Sequence, residues 1–282
     1  MKNYIIVNEF LNTNSFNQIY SELKNAFLSL GAEVELLTNV TAKKLLKENG
    51  NGTPILFFDK DLFLAKQLEK CGYRCVNSAK VIETCDDKAK TYLALLGKIK
   101  MPKTLLAPFS YNTVGFTNFN FLRDIERELC YPFVIKQNKG SFGEQVYLVN
   151  DNKQAIETLK KIGHTEVLFQ QYIKNSCGKD YRVYVVGGRV VACALRYNES
   201  DFRSNVASGG KMQMVNLPAS YQELAVNACN VLGADFAGVD LLIGDNGPLV
   251  CEVNSNAHFT ALSKITGVNV AKCIAEYILN LF

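Results

Sequence analysis

Strand-like and helix-like segments alternate along residues 1–82. Tyr4–Val7, Val34–Leu37 and Ile55–Phe58 are short apolar runs typical of buried strands. Between the first two runs, apolar residues recur at helical spacing until Gly31, which ends the helix. This alternation predicts a parallel sheet with helices on its faces. The segment has no GxGxxG motif and so lacks the usual signature of a dinucleotide site.

From Phe133 onward the pattern changes to pairs of neighbouring strands, each pair joined by a turn rich in Gly, Asn or Asp. The chain is therefore predicted to hold a small α/β domain followed by an α+β region of about 200 residues. The predicted strand pairs are Phe133–Lys136 with Val146–Val149, Tyr181–Val186 with Arg189–Arg196, and Phe236–Ile243 with Leu249–Asn254. A further strand is expected over Val167–Tyr172, helices over 62–70, 86–97, 153–162, 219–232 and 268–281, and a loop over 109–120.

Composition argues against several classes of protein. Lys and Arg number 31 and Asp and Glu number 27, so the net charge of +4 is too small to indicate a nucleic-acid binder. No apolar run approaches the ~18 residues of a membrane span, and the first ten residues lack the apolar core of a signal peptide. The nine cysteines form no CxxC pair and the chain has two histidines, which argues against a zinc site. We expect a cytoplasmic protein with reduced thiols, no nucleic-acid partner and no membrane contact.

A lysine at the end of a predicted strand is followed by a loop of small residues. Lys136 precedes Gln-Asn-Lys and then Gly140-Ser141-Phe142-Gly143. Glycines let backbone N–H groups approach an anion closely, and a lysine supplies a point charge for phosphate. A hairpin turn with solvated lysines has the same pattern, so both interpretations stay open. A P-loop is excluded, because no GKT or GKS follows.

Three oxygen-bearing side chains interrupt the last apolar hairpin. The turn Asp245–Gly247 lies midway between Asp240 and Glu252, which makes these two residues cross-strand neighbours. Asn254 follows Glu252 by two positions and therefore shares its face. Two carboxylates in apolar surroundings repel each other unless a cation compensates. Because oxygen ligands suit Mg²⁺ held partly by substrate phosphates, the pattern favours a metal site over a hydrogen-bonded polar end of the sheet.

Two further segments carry weaker signals. Asp201–Asn205 contains Arg203, which can clamp a phosphoryl or carboxylate group, and Asn205, a neutral donor, although a surface loop has the same composition. The strand end at Gln171–Ile173 can offer backbone groups to a purine, and Asp180 can accept from ribose hydroxyls.

His258 follows Asn254 by four residues and can contact a substrate acid or act as a base, although a lone loop histidine is more often merely solvated. A serine hydrolase or cysteine protease finds no support, because there is no GxSxG motif and neither histidine has an obvious nucleophile partner.

Taken in order, these stretches resemble the ATP-grasp superfamily, in particular the RimK-like carboxylate–amine ligases. The similarity covers nearly all of residues 80–282, and the ordered motifs DFRSN, AGVD and EVN are its specific part. The resemblance implies an ATP-grasp fold, α/β plus α+β, with an N-terminal Rossmann-like pre-ATP-grasp domain. The implied domains are residues 1–82, a small lid subdomain with the Gly-rich loop at residues 83–172, and a C-terminal subdomain with the metal and substrate site at residues 173–282. The matching stretches are DDKAK at 86–90, PFVIKQNKGSFG at 132–143, LFQQYI at 168–173, GKDYRVYVVGGRVV at 178–191, DFRSN at 201–205, AGVDLL at 237–242, PLVCEVN at 248–254 and TGVNVA at 266–271.

The resemblance also implies a role for each matching polar residue. The implied ATP-binding residues are Lys88 and Lys136 on the phosphates, Gly140, Ser141, Phe142 and Gly143 folded over them, Gln171, Tyr172 and Ile173 at the adenine, and Asp180 at the ribose. The implied catalytic residues are Arg203 and Asn205 near the γ-phosphate and acyl phosphate. The implied ligands of two Mg²⁺ ions, which Mn²⁺ can replace, are Asp240, Glu252 and Asn254.

The chain departs from the family pattern at four places. Gln145 stands where the loop commonly has another glycine, and the hinge reads Gln170-Gln171-Tyr172 instead of QEY. Ala207-Ser208 replaces the His-Arg pair of the ribosomal-protein-modifying enzymes, and Ser255–Phe259 replaces their Ser-Pro-Gly turn. The ATP and metal parts therefore match the family, whereas the parts that read the substrates do not.

The activity implied by the resemblance is an ATP-dependent ligase that forms an amide through an acyl phosphate, joining an amino acid or peptide carboxylate to an amine. A phosphotransferase that stops before amide formation and a non-catalytic nucleotide-binding protein are the alternatives. The intact Arg203, Asp240, Glu252 and Asn254 argue against the non-catalytic protein. The sequence leaves the acid, the amine and the oligomeric state open.

Overall fold

The computed structural model describes residues 2–111, 113–140, 143–205 and 209–281. The N-terminal sheet and its helices are β1 (Asn3–Val7), α1 (Asn14–Ser29), β2 (Val34–Thr38), β3 (Pro54–Phe58), α2 (Leu62–Lys70) and β4 (Arg74–Val76). The sheet is parallel with the order β2-β1-β3-β4, so the predicted βαβ unit is confirmed. Alternate residues of β1 pack against α1 on one face and α2 on the other, which explains why this strand is apolar throughout.

Two helices follow the N-terminal sheet: α3 (Ala79–Cys85) and α4 (Lys88–Leu95). The predicted helix over 86–97 begins at Lys88, because the Asp87 side chain accepts hydrogen bonds from the backbone N–H groups of Ala89 and Lys90 and so caps the first turn. Both helices place apolar residues in a core shared with the C-terminal strands described below.

A second, antiparallel sheet has the order β5-β8-β6-β7. Its elements are β5 (Thr104–Leu106), α5 (Leu122–Leu129), β6 (Phe133–Gln137), β7 (Val146–Val149), α6 (Asn152–Ile162) and β8 (Val167–Gln171). The helices cover one face around Phe133 and Phe169. The end of β6 therefore points Lys136 away from that core and towards the C-terminal strands.

The C-terminal sheet has the order β11-β10-β9-β12-β13 and is also antiparallel. Its elements are β9 (Lys179–Val186), β10 (Arg189–Tyr197), β11 (Lys211–Met214), α7 (Ala219–Leu232), β12 (Phe236–Gly244) and β13 (Gly247–Asn254), followed by α8 (Thr260–Thr266) and α9 (Val270–Leu279). The three predicted hairpins are confirmed.

The N-terminal sheet packs against the C-terminal sheet through one continuous core. Phe58 stacks parallel to Phe236 with ring centroids 6.4 Å apart. At the same junction, the buried side chain of Asn77 donates to the carbonyls of Phe236 and Ser255 and accepts from the N–H of Asp235. Because these groups are buried and paired, they fix the position of the first sheet against the strands that carry the candidate site.

The helix predicted over 268–281 is confirmed as α9. The elements that sequence periodicity missed are short: β4, β5 and β11 have three or four residues each, and α3, α5 and α8 have seven or eight. The predicted domain limits at 82 and 172 stay a prediction. Within the described ranges, none of the helices is long and apolar enough to cross a membrane.

Candidate active site

A cavity of about 1240 Å³ lies where the three sheets meet. Every predicted site residue that the structure describes lines it, although these residues are spread over 167 positions of the sequence, from 88 to 254. Ser141 and Phe142 of the predicted loop, and the Ala207-Ser208 departure, lie outside the described residues. The predicted residues that line the cavity are Lys88, Lys136, Gly140, Gly143, Gln171, Tyr172, Ile173, Asp180, Arg203, Asn205, Asp240, Glu252 and Asn254.

The β12–β13 hairpin presents its oxygen-bearing side chains on one face. Asp240 pairs directly with Glu252 across the two strands, and Gly238 pairs with Asn254, so the predicted cross-strand pairing is confirmed. A β-bulge follows Asp240 and leaves Cys251 as the extra residue. Two carboxylates and an amide oxygen on one face offer the donors that Mg²⁺ prefers, so the donor set fits such an ion.

Two arginines that sequence reasoning missed bind Asp240. Arg182 Nε lies 2.5 Å from Asp240 Oδ1, and Arg196 Nη2 lies 2.8 Å from Oδ2. Arg196 also reaches Asp180, with Nε 2.7 Å from Oδ1. Burial alone raises the pKa of Asp240, but the charges of Arg182 and Arg196 outweigh it and hold the pKa below its ordinary value.

These pairs follow from strand register. Arg182 is the cross-strand neighbour of Asp240 on β9, and Arg196 is the neighbour of Asp180 on β10. The available sequence signal was a charged residue recurring among apolar residues in each strand. Asp180 was predicted to hold ribose, and its carboxylate is instead bound to Arg196 in this structure; the ribose contact stays a prediction.

Two lysines from outside the C-terminal sheet reach its hairpin. Lys136 is 7% exposed, and its Nζ donates to Gln170 Oε1 at 2.6 Å and to Cys251 Sγ at 3.3 Å. Lys88 Nζ donates to the carbonyl of Gly140 at 3.1 Å and lies 3.7 Å from Glu252 Oε1. Positive charge from the second sheet and from α4 therefore faces negative charge on the hairpin across the cavity.

The segment Asp201–Asn205 closes against the glycine loop. Arg203 Nη1 donates to the carbonyl of Gly143 at 2.7 Å, while Nε and Nη2 bind the two carboxylate oxygens of Asp201 at 3.0 and 2.7 Å. The hydrogen bonds and charge of Asp201 raise the pKa of Arg203, against the opposing effect of burial. Gly143 has φ +77°, and a Cβ there would lie 2.6 Å from Asn205 Oδ1, so the close approach requires glycine.

At the predicted adenine hinge, the backbone N–H of Gln171 already donates to the carbonyl of Lys103 at 2.8 Å. The N–H of Gln171 is therefore already used within the sheet, and the adenine contacts of Gln171, Tyr172 and Ile173 stay a prediction. Burial, followed by a hydrogen bond with Cys177, raises the pKa of Tyr172 to about 12, so its hydroxyl stays protonated.

His258 also lines the cavity. Its ring meets Phe16 edge-on with centroids 4.7 Å apart. Burial and then the charge of Arg182 lower the pKa of His258, so the imidazole is neutral at pH 7.

Comparison with known proteins shows which proteins share this sequence pattern and architecture. A model of the RimK-like ATP-grasp domain matches residues 85–278. The chain is 37% identical over 233 residues to β-citrylglutamate synthase B of Danio rerio, with 81% of this chain and 56% of the relative covered. It is also 37% identical over 233 residues to human N-acetylaspartylglutamate synthase A, with 81% and 58% covered. The chain thus spans little more than half the length of these relatives.

A solved structure shares the fold over almost the whole chain. The RimK domain protein ATP-grasp from Sphaerobacter thermophilus DSM 20745 superposes with a TM-score of 0.72 at 22% identity, covering 98% of this chain and 99% of that one. The match extends the shared fold to the N-terminal sheet, which the family model does not include.

Proposed function

Since this chain belongs to the RimK-like ATP-grasp family, we propose that it is an ATP-dependent ligase that joins a carboxylate to an amine. ATP would phosphorylate the acid, and the amine would displace phosphate from the acyl phosphate to give an amide. No covalent enzyme intermediate is needed, which is consistent with the absence of a nucleophile motif from the sequence.

The main support for the proposal is that Lys88 and Lys136 approach the acidic β12–β13 hairpin within one cavity. Lys88 Nζ lies 3.7 Å from Glu252, and Lys136 Nζ lies 3.3 Å from the neighbouring Cys251. A polyphosphate held there would contact both lysines. Lys136 is buried, and its partners Gln170 and Cys251 are polar but neutral. A bound anion would therefore supply the negative counter-charge for its ammonium group.

The remaining roles are positioning and charge stabilisation. Asp240, Glu252 and Asn254 would hold two Mg²⁺ ions, replaceable by Mn²⁺, and these ions would neutralise charge on the phosphate oxygens. Arg203 would orient the γ-phosphoryl group with its planar fork of donors, and Asn205 would add a neutral donor. Tyr172 and Ile173 would hold the adenine. The cavity walls would shield the acyl phosphate from water.

We propose an amino acid of the glutamate type as the amine. Both named relatives are synthases of a glutamate conjugate by their names. Two segments differ from the family pattern: residues 207–208 follow the proposed catalytic residue Asn205 in the sequence, and residues 255–259 follow the proposed metal ligand Asn254. The acid is therefore expected to differ from that of the ribosomal-protein-modifying enzymes.

The proposal is tested by measuring ADP release over a panel of acids, with glutamate and other amino acids as amines. A ligase needs both substrates and gives a product whose mass is the sum of the two minus water. ADP and a phosphorylated acid formed without any amine would indicate a phosphotransferase. The absence of ATP turnover with every pair, together with retained ATP binding, would indicate a non-catalytic nucleotide-binding protein.

A further inference from the structure

The N-terminal sheet ends in a crevice that opens into the same cavity. β1 lies between β2 and β3. The chain therefore adds β2 on one side of β1 and then adds β3 on the other side, so the strand order reverses between β1 and β3. Ligands of open α/β sheets bind where the strand order reverses, outside the carboxyl ends of the strands. Asn8 directly follows β1 and Asp59 directly follows β3, and both line the cavity.

Two buried hydrogen-bond acceptors in this crevice have no donor among the described residues. Asp59 is 4% exposed; its Oδ1 accepts from Asn8 Nδ2 at 3.0 Å and from the backbone N–H of Lys60 at 2.7 Å, whereas Oδ2 has no partner among the described residues. Asn256, in the loop after β13, donates to the backbone carbonyl of Asp59 at 2.8 Å. Its own Oδ1 is buried and, within the same described ranges, also lacks a donor.

The described residues supply no cation that pairs with the carboxylate of Asp59. The ammonium of Lys60 pairs with Asp86, and Arg182 is bound to Asp240. In the part of the chain that the structure describes, no Lys or Arg forms an ion pair with Asp59. An unpaired buried carboxylate beside an unsatisfied amide oxygen suits a ligand group that carries positive charge and several N–H donors.

We propose that this crevice binds the ammonium group of the acid substrate, which is therefore an amino acid or peptide with a free amino group. The inference rests on the proposed ligase function. The attacking amine must be neutral, and a carboxylate beside it would keep it protonated. The ammonium held by Asp59 therefore belongs to the other substrate and does not react.

The test is calorimetric titration of the full chain loaded with Mg²⁺ and the non-hydrolysable ATP analogue AMPPNP. The probes are the standard L-amino acids, each compared with its N-acetylated counterpart, which has no ammonium. Wild-type protein is expected to bind at least one free amino acid ~10- to 150-fold more tightly than its N-acetyl form, the range for a charged hydrogen bond. If no free amino acid binds more tightly than its N-acetyl form, the proposal is wrong.

Asp59→Asn is expected to reduce that preference to about one while AMPPNP affinity stays unchanged. Asn256→Ala removes a half-buried acceptor and should lower the preference a few-fold. Asp61→Asn is the matched control, because Asp61 caps α2 two residues further on and does not line the cavity. A preference retained in Asp59→Asn would overturn the proposal, whatever the result for Asn256→Ala. Because these titrations require no turnover, their failure is separable from failure of the ligase assay.

Discussion

Two walls of the cavity balance their buried charges in opposite ways. The phosphate wall consists of Lys88, Lys136, Asp180, Arg182, Arg196, Asp240 and Glu252, and the crevice wall consists of Asn8, Asp59 and Asn256. On the phosphate wall, the carboxylates are paired with Lys88, Arg182 and Arg196, and Lys136 alone has neutral partners among the described residues. On the crevice wall, Asp59 and Asn256 keep acceptors without donors in the described structure.

This difference separates two ways of building a binding site. A ligand on the phosphate wall must replace existing ion pairs. These pairs stabilise the fold without a ligand, and ligand binding rearranges them. A ligand on the crevice wall would supply donors to acceptors that have none among the described residues, so burying these acceptors on folding costs stability. Proteins commonly give up stability at sites kept for function.

The largest stability effect is expected from breaking the phosphate wall. Asp240→Asn leaves the partly buried Arg182 without a counter-charge, and removing one partner of a buried pair costs about 3–5 kcal/mol. At roughly 2–4 °C per kcal/mol, the melting temperature should fall by on the order of 10 °C. Thermal unfolding measures this, with exposed Asp245→Asn as the control. Equal melting temperatures for Asp240→Asn and Asp245→Asn would show that the network does not hold the fold.

Arg203, which lies against the glycine loop, tests whether the site stabilises the transition state. Arg203→Lys keeps the charge but loses the fork of donors, so kcat and kcat/KM should fall together by ~10²–10³. ATP affinity should stay nearly intact. Steady-state kinetics and calorimetry distinguish the two effects, and Arg189→Lys at the hairpin turn is the control. Turnover equal to wild type would remove this role from Arg203.

Lys136 tests whether the phosphate wall binds ATP in the ground state. Lys136→Ala removes a buried charge from the proposed phosphate site, and ATP should bind ~10- to 150-fold more weakly. Calorimetry with MgATP measures the change, with exposed Lys139→Ala as the control. Unchanged affinity would place the phosphates elsewhere.

The smallest expected effect has the opposite sign and lies on the crevice wall. Burial is the main cause that raises the pKa of Asp59, outweighing its hydrogen bonds from Asn8 and Lys60. A carboxyl whose pKa is raised on folding stabilises the fold below its ordinary pKa and loses that stabilisation as pH rises through the folded value. Asp59→Asn should therefore be more stable than wild type at pH 7.

The same reasoning predicts that the gain shrinks as the pH falls towards ~4, the ordinary pKa of an aspartate. Denaturant unfolding at several pH values measures it, with Asp61→Asn as the control. A loss of stability at pH 7 would mean that Asp59 is already satisfied in the empty protein.

The sequence predicted the parts of the site that depend on local spacing. The register of Asp240 and Glu252 follows from the turn at 245–247, and Lys136 follows from the strand that precedes the glycine loop. The arginines were missed because their partners are set by pairing of β9 with β12, 58 residues apart at Arg182 and Asp240. The Asp59 crevice was missed because it exists only once the strand order around β1 is known.

The central claim is that the acidic hairpin supports phosphorylation of an acid. Hydroxylamine tests it most directly, because it traps acyl phosphates as hydroxamates without a specific amine. With ATP, Mg²⁺ and a panel of acids, wild-type protein should give hydroxamate, ADP and phosphate in equal amounts. Glu252→Gln should give none, a loss of at least ~10³-fold, since a metal ligand accounts for several kcal/mol of charge stabilisation. Exposed Glu223→Gln should match wild type. ATP consumption without hydroxamate from any acid, or wild-type yields from Glu252→Gln, would contradict the claim.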